Sequence, residues 1–241
     1  MLIDARNVTK AFGAFKAVDD ASVAVEEGDI LGLIGPNGAG KSTFFNCLTG
    51  DLPVTSGTVT FNGADVTRLP PEARAALGLA RTFQVPLTFE SMSVLDNATI
   101  GALLRHHTAR EARAKARDVL QRVGLGHVID APARSLGTPG RKRLEIARAL
   151  ASEPKVLLLD EAMAGLTPTE IQDAIALVRR IHDEDGITIV IVEHIMEVIV
   201  SLAQRVVVFH QGREIARGTP REVTSDSAVI EAYLGRRKVR H

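Results

Sequence analysis

The sequence predicts an α/β fold interrupted by a helical insertion of roughly 65 residues. Three observations predict it. Short apolar runs alternate with helical patterns up to about residue 84, and again after about residue 152. Between them, from about Val85 to Ala151, strand-like runs vanish. One run, VLLLD at 156–160, is continuously apolar until its last residue, as in a strand covered on both faces.

Each element has a local reason. LIDARNVTKAF, ASVAVEE and DILGLIG within residues 2–34 read as strands. A helix is expected from Lys41 to about Leu48, and another strand at TVTFNG, 58–63. Leu69-Pro70-Pro71 marks a turn into a short helix, because Pro suits a helix start. LARTF, 79–83, reads as a short strand. In the insertion, SVLDNATIGALL and TAREARAKARDVLQRVG have helical spacing. The second places Ala112, Ala116, Val119, Leu120 and Val123 along one side. After VLLLD come a helix from about Pro168 to Glu184, the strand ITIVIV, a helix, then the strands RVVVFH and REIARG. Thr219-Pro220 supplies an N-cap and a first-turn proline for another helix. The basic residues 235–241, GRRKVRH, read as a frayed tail.

Composition removes several classes of function. The 241 residues carry 29 basic and 29 acidic side chains, so a general polyanion binder is not expected. Aromatic residues are 4%, with no Trp, which leaves no stacking platform for single-stranded nucleic acid. Cys47 is the sole cysteine, which excludes an internal disulfide and a cysteine-built metal site. The start, MLIDARNVTKAF, lacks the pattern of a secretory signal. ITIVIVEHIMEVIVSL, 187–202, resembles a membrane span until its Glu193, His194 and Glu197 are counted. It reads better as a buried strand, a polar break and an amphipathic helix, so any membrane span must come from another chain.

The strongest chemical signal is Gly35-Pro36-Asn37-Gly38-Ala39-Gly40-Lys41-Ser42, which fits G-x-x-x-x-G-K-[ST]. It lies between an apolar strand and a helix, the setting that the motif requires. Gly38 and Gly40 let the backbone turn successive N–H groups toward a phosphate, and the helix start adds partial positive charge. Lys41 is placed for the β- and γ-phosphates, and Ser42 for Mg²⁺. A second signal is the acid pair Asp160-Glu161 ending an apolar strand. Such strand ends carry ligands in parallel sheets. Asp160 suits Mg²⁺, and Glu161, pointing elsewhere, suits the attacking water. Gln84 and His194 each follow an expected strand, whereas Phe12 read alone is a core aromatic.

GPNGAGKST at 35–43, Gln84, VLLLDE at 156–161 and His194 occur in an order and spacing that resembles ABC-type nucleotide-binding subunits. The resemblance covers nearly the whole chain. It implies a P-loop NTPase with a RecA-like core, an N-terminal antiparallel β-subdomain and an inserted helical subdomain. The implied boundaries are 1–84 and 152–241 for the core with its β-subdomain, and 85–151 for the helical part, within one domain of 1–241. It implies ATP and Mg²⁺ as ligands and a dimer that sandwiches the nucleotide. Phe12 would stack on adenine with Val18 lining the same pocket. The loop from Gly35 to Thr43 would hold the phosphates. Ser42, Gln84 and Asp160 would hold the metal. Glu161 would polarise water, and His194 would touch the γ-phosphate.

LGLARTFQVPLTFESMSVLDN, LEIARALA, DEAMAGLTPTE and IVEHIMEVIVSLAQRVVVFHQGREIARGTPREV are similar to ATPases of branched-chain amino-acid importers. The final Tyr233-Leu234-Gly235 also suits that branch, and no long regulatory domain follows it. The resemblance implies two membrane permease subunits, a second ATPase subunit and, indirectly, a solute-binding protein. It implies a peripheral place on the cytoplasmic face of the inner or plasma membrane, with 85–97 meeting the permeases. Lipopolysaccharide-type exporters are the nearest rival. Repair-type ABC ATPases need a long coiled coil, for which the roughly 95 residues between Lys41 and Leu136 are too few. Translation-type relatives carry two such domains in one chain.

Two segments depart from the family pattern. The signature, usually Leu-Ser-Gly-Gly-Gln, aligns with Leu136-Gly137-Thr138-Pro139-Gly140. Gly137 lacks the hydroxyl, Pro139 has no N–H, and Gly140 replaces the Gln. Since a signature completes the opposite subunit's site, a hetero-pair is expected in which this chain's own site fires and its partner's is slow. Thr167 stands where Asp or Asn is common, which puts communication across the dimer in question.

Overall fold

The computed structural model describes residues 1–234. The basic tail, 235–241, with the Gly235 of the Tyr-Leu-Gly ending, lies outside the described residues. The chain divides into two units. One comprises Met1–Pro71 and the chain from Thr188 onward, and the other is Glu72–Ile187.

In the first unit, β1 (Ile3–Phe12), β2 (Phe15–Val25), β4 (Ser56–Phe61) and β5 (Ala64–Asp65) form an antiparallel sheet in the order β2-β1-β4-β5. Ile3, Ala5 and Val8 of β1, Val18, Ala21, Val23 and Val25 of β2, and Val59 and Phe61 of β4 are its buried positions. Asn62 and Gly63 belong to a turn rather than to the expected strand end. Both have positive φ, 49° and 78°, which lets β4 fold back on β5 as a tight hairpin.

The same unit holds β3 (Ile30–Ile34), β8 (Thr188–Val192), β9 (Arg205–His210) and β10 (Arg213–Gly218). β3 lies between β8 and β9 and is parallel to both, and β10 joins β9 antiparallel. All five residues of β3 and all five of β8 are buried, which explains their apolar composition. Helix α1 (Lys41–Thr49) follows β3 and is anchored by Phe44, whose ring lies 5.1 Å from that of Phe209 on β9. Cys47 on the same helix is buried. The Glu193–His194 break separates β8 from α7 (Met196–Leu202). Among the described residues, no helix is long and apolar enough to cross a membrane. α8 (Pro220–Ser225) starts at Thr219 with the expected cap, completed into a capping box by Glu222. α9 (Ser227–Leu234) follows it.

The second unit opens with α2 (Pro71–Leu77) and pairs β6 (Leu79–Arg81) with β7 (Val156–Asp160) in parallel. The strand predicted over 79–83 thus ends two residues early. α3 (Val94–Ala102), α4 (Ala109–Arg122) and α5 (Thr138–Ala151) are the helices of the insertion. Ala112, Ala116, Val119, Leu120 and Val123 are buried, as the spacing of α4 predicts. α6 (Pro168–Asp185) then runs from a capping box formed by Thr167 and Glu170.

Candidate functional site

The phosphate loop joins β3 to α1 in the first unit. Its glycines are obligatory for two reasons. Gly35 and Gly40 have φ of 151° and 98°. A Cβ would also lie 2.2 Å from the Phe209 carbonyl oxygen at Gly35, and 2.3 Å from that of Ala17 at Gly40. The loop is therefore wedged between β9 and β2. Lys41 is 6% exposed, and its Nζ donates to the Gly35 carbonyl at 2.7 Å and to that of Pro36 at 3.1 Å. Asn37, Gly38 and Ser42 are exposed, and Thr43 is half-buried. The first turn of α1 contains no acid and Gly40 provides no side-chain cap, so the helix start keeps its positive end.

Three more expected residues belong to this unit. Phe12, at the end of β1, is half exposed, and the Lys10 ammonium lies 5.1 Å from its ring centre. It is thus not a core aromatic. Its strand neighbour Phe15 is also exposed. Val18 is fully buried on β2 and presents no face for a base to touch. His194, just past β8, is exposed. Near the other end of the chain, burial raises the Tyr233 phenol above its ordinary pKa, opposed by a hydrogen bond from the Gly35 backbone.

Gln84, Asp160 and Glu161 belong to the second unit. Asp160 ends β7 and is buried, and its Oδ2 accepts from Arg81 Nη2 at 3.2 Å. Its backbone N–H donates to the Thr82 hydroxyl at 3.3 Å. Glu161 has φ +46°, a left-handed conformation unusual outside Gly, Asn and Asp. The expected divergence of the two acids follows, since this turn takes Glu161 off the strand. Gln84 Nε2 donates to Glu161 Oε2 at 2.6 Å. The buried Lys142 Nζ donates to the Glu161 carbonyl at 3.1 Å. Sequence reasoning missed Lys142, Arg81 and the buried Glu145. Basic and acidic residues on a helix read as solvated, and only the packing of α5 shows that two of them are inside.

The segment after Gln84 is tied to α5. Glu145 Oε1 accepts the Leu87 N–H at 3.2 Å, and Arg148 donates to the Leu87 carbonyl and lies over the Phe89 ring. Val85, Leu87 and Phe89 remain exposed, as do Ile100, Leu103 and Leu104 at the far end of α3.

At the atypical signature, Gly137 is the N-cap of α5 and Thr138, Pro139 and Gly140 form its first turn. Pro139 costs the helix nothing there, since first-turn N–H groups have no partner within the helix. Arg141 Nε donates to the Leu136 carbonyl at 3.0 Å and steadies the approach.

Ser42, Gln84 and Asp160, the residues expected to hold a metal, carry a hydroxyl, an amide oxygen and a carboxylate, the oxygen chemistry that suits a hard divalent cation.

Comparison with known proteins agrees with these features. Residues 18–164 match the ABC transporter family, and residues 213–239 match the branched-chain amino acid ATP-binding cassette transporter family. The high-affinity branched-chain amino acid transport ATP-binding protein BraF of Pseudomonas aeruginosa is 35% identical over 97% of this chain and 98% of its own. LivG of Escherichia coli, also named for high-affinity branched-chain amino acid transport, is 34% identical over the same shares. The lipopolysaccharide export system ATP-binding protein LptB of Escherichia coli is 35% identical over 97% of both chains. A solved ABC transporter cassette in its ADP conformation is 33% identical, with a TM-score of 0.88 over 97% of this chain and 98% of that one. A nucleotide-free cassette is likewise 33% identical, with a TM-score of 0.88 over 97% and 99%. The chain is an ATP-binding subunit of the ABC transporter family, whose members bind nucleotide and hydrolyse ATP to power transport.

Proposed function

We propose that this chain is the energy-coupling ATPase of an importer of branched-chain or related amino acids. The observation that carries this reading is the match of residues 213–239 to the branched-chain amino acid ATP-binding cassette family. It falls on β10, α8 and the end of the chain, outside the segment shared with ABC transporters in general. The similarity to LptB over 97% of the chain favours one alternative, the ATPase of a lipopolysaccharide-type exporter.

In this reading residues 1–84 and 152–241 are the RecA-like core with its β-subdomain, and 85–151 are the inserted helical subdomain. Phe12 stacks on adenine, and Val18 supports β2 from below rather than touching the base. The loop N–H groups from Gly35 to Thr43 receive the phosphates, and Lys41 exchanges the Gly35 and Pro36 carbonyls for phosphate oxygens. Ser42, Gln84 and Asp160 would hold Mg²⁺, which would supply positive charge against the phosphates. Glu161 accepts a proton from water as the water oxygen bonds to the γ-phosphorus and the bond to ADP breaks. His194 contacts the γ-phosphate. Gly137, Thr138, Pro139 and Gly140 close the site of a second ATPase subunit, most readily a different chain with a standard signature. The exposed Val85, Leu87 and Phe89 support docking to two permease subunits on the cytoplasmic side of the membrane. A solute-binding protein acts on those permeases and not on this chain.

Affinity-tagged chain extracted from native membranes in mild detergent with ATP tests the reading. Two polytopic subunits and a second ATPase of similar size, identified by mass spectrometry, support the importer. Envelope lipid-export components instead establish the alternative. Soluble partners alone overturn both transport assignments.

A further inference from the structure

Helix α5 grips the neighbourhood of Glu161 at two points, one turn apart. Lys142 Nζ, on a side chain 7% exposed, donates to the Glu161 carbonyl at 3.1 Å. Glu145, three residues on and 3% exposed, receives the backbone N–H groups of Leu87 and Phe83, on either side of Gln84. Gln84 in turn donates to the Glu161 carboxylate at 2.6 Å. The contacts form a ring within one unit: α5 to the main chain of Glu161, its side chain to Gln84, and the Gln84 loop back to α5. The first turn of the same helix is the atypical Thr138-Pro139-Gly140. Burying an ammonium and a carboxylate on one helix is costly unless each is satisfied, and both are spent on backbone groups around Gln84 and Glu161.

We infer that Lys142 and Glu145 are positioning residues, which fix the left-handed main chain of Glu161 and the loop bearing Gln84, so that the helix beginning at the signature segment sets the placement of the water-activating carboxylate. Lys142 is suited to this task because its ammonium is a second donor to the Glu161 carbonyl, beside the Ala164 N–H at 3.1 Å, and so ties the turn that follows Glu161, at φ +46°, to α5. A change in the direction of α5 moves both ends of the ring together. The inference rests on the reading of Glu161 as the group that activates water.

The test uses the full chain with its co-purified subunits and four variants, Lys142→Met, Lys142→Gln, Lys142→Arg and Glu161→Gln. ATPase kcat and KM are measured alongside thermal unfolding and nucleotide affinity. Lys142→Met keeps the apolar stem and removes the donor. It should lower kcat on the order of ten- to a hundredfold, the usual penalty for a small misplacement of a reacting group, with the KM for ATP unchanged. Lys142→Gln should behave alike, which covers the case in which the methionine variant does not fold. Lys142→Arg, still able to donate, should restore turnover to within a few-fold of the parent. The inference is overturned if kcat of Lys142→Gln or Lys142→Met stays within twofold of the parent while Glu161→Gln is inactive. It is equally overturned if the arginine variant is as slow as the methionine one. Full turnover in Glu161→Gln removes the reading of Glu161 itself, and the inference falls with it.

Discussion

Arg81 and Asp160 meet across the parallel pair β6 and β7, guanidinium to carboxylate at 3.2 Å, with side chains only 11% and 6% exposed. The arginine also stacks on Phe83, its guanidinium carbon 4.4 Å from the ring centre. The acid proposed to hold the metal therefore has a fixed cation behind it. Removing one member of such a buried pair leaves the other charge uncompensated. Arg81→Met is expected to cost about 3 kcal/mol or more, read as a lower urea midpoint. Loss of less than 1 kcal/mol would show that Asp160 is stabilised by its other neighbours.

Glu161→Gln preserves the size of the side chain and its contact with Gln84. ATP affinity should hold within a few-fold while phosphate release drops by about 10²–10⁴. Equilibrium nucleotide binding and a phosphate-release assay on one preparation separate the two effects.

Gly40→Ala combines a disfavoured backbone at φ +98° with a Cβ placed 2.3 Å from the Ala17 carbonyl. The substitution is expected to destabilise the chain by at least about 2 kcal/mol and to abolish nucleotide binding. Calorimetric unfolding with and without ATP checks both parts, since the parent should gain stability from the ligand and the variant should not.

The position Gly137 has room for a side chain: a Cβ there meets only the Pro139 ring, at 3.8 Å. Gly137→Ser should therefore fold normally and gain a few tenths of a kcal/mol from an N-cap hydroxyl. At Gly140 a Cβ comes within 3.2 Å of Leu136, so the full Ser-Gly-Gly-Gln restoration requires that leucine to shift slightly. Its ATPase rate in the co-purified complex should exceed the parent's. An unchanged rate would mean that this segment does not limit the partner's site.

Burial raises the Glu145 carboxyl above its ordinary pKa, against the opposing effects of the Leu87 and Phe83 N–H groups and of Arg148 and Lys142. The folded chain then holds this proton more tightly than the unfolded one. The resulting stability is present in full below the unfolded value of about 4.3, and is lost as pH rises through the higher folded value. Glu145→Gln should remove that fall. The difference in unfolding free energy between parent and variant, measured at intervals from pH 4 to 7, should therefore change with pH in this direction alone.

Much of this structure was legible because repeated local signals agreed. Proline at helix starts, apolar strands followed by polar turns and the glycine loop each named an element before any contact was known. The miss at Asn62-Gly63 came from counting β-forming neighbours and passing over a dipeptide whose positive φ ends a strand. Thr167 stands where Asp or Asn is common in the family. In place it caps α6 with its hydroxyl accepting the Glu170 N–H, so the helix start is intact. Val18 illustrates the opposite limit. Its alternation with Ala17 decides which of the two faces inward, and register shifts between β1 and β2 obscure that phase in the sequence. Lys142 and Glu145 were illegible for a simpler reason, because nothing local distinguishes a charged residue aimed at a neighbouring backbone from one aimed at water.

The position of β3 also has a temporal consequence. The strand that leads into the phosphate loop pairs only with β8 and β9 among the described pairings, and both lie about 150 residues or more further along the chain. At typical synthesis rates of about 5–20 residues per second, the completed glycine motif waits roughly ten to thirty seconds for the strands that flank it. Phe209, whose carbonyl closes against Gly35, emerges among the last of these. A nascent chain thus carries the motif long before the strands that flank it have been made.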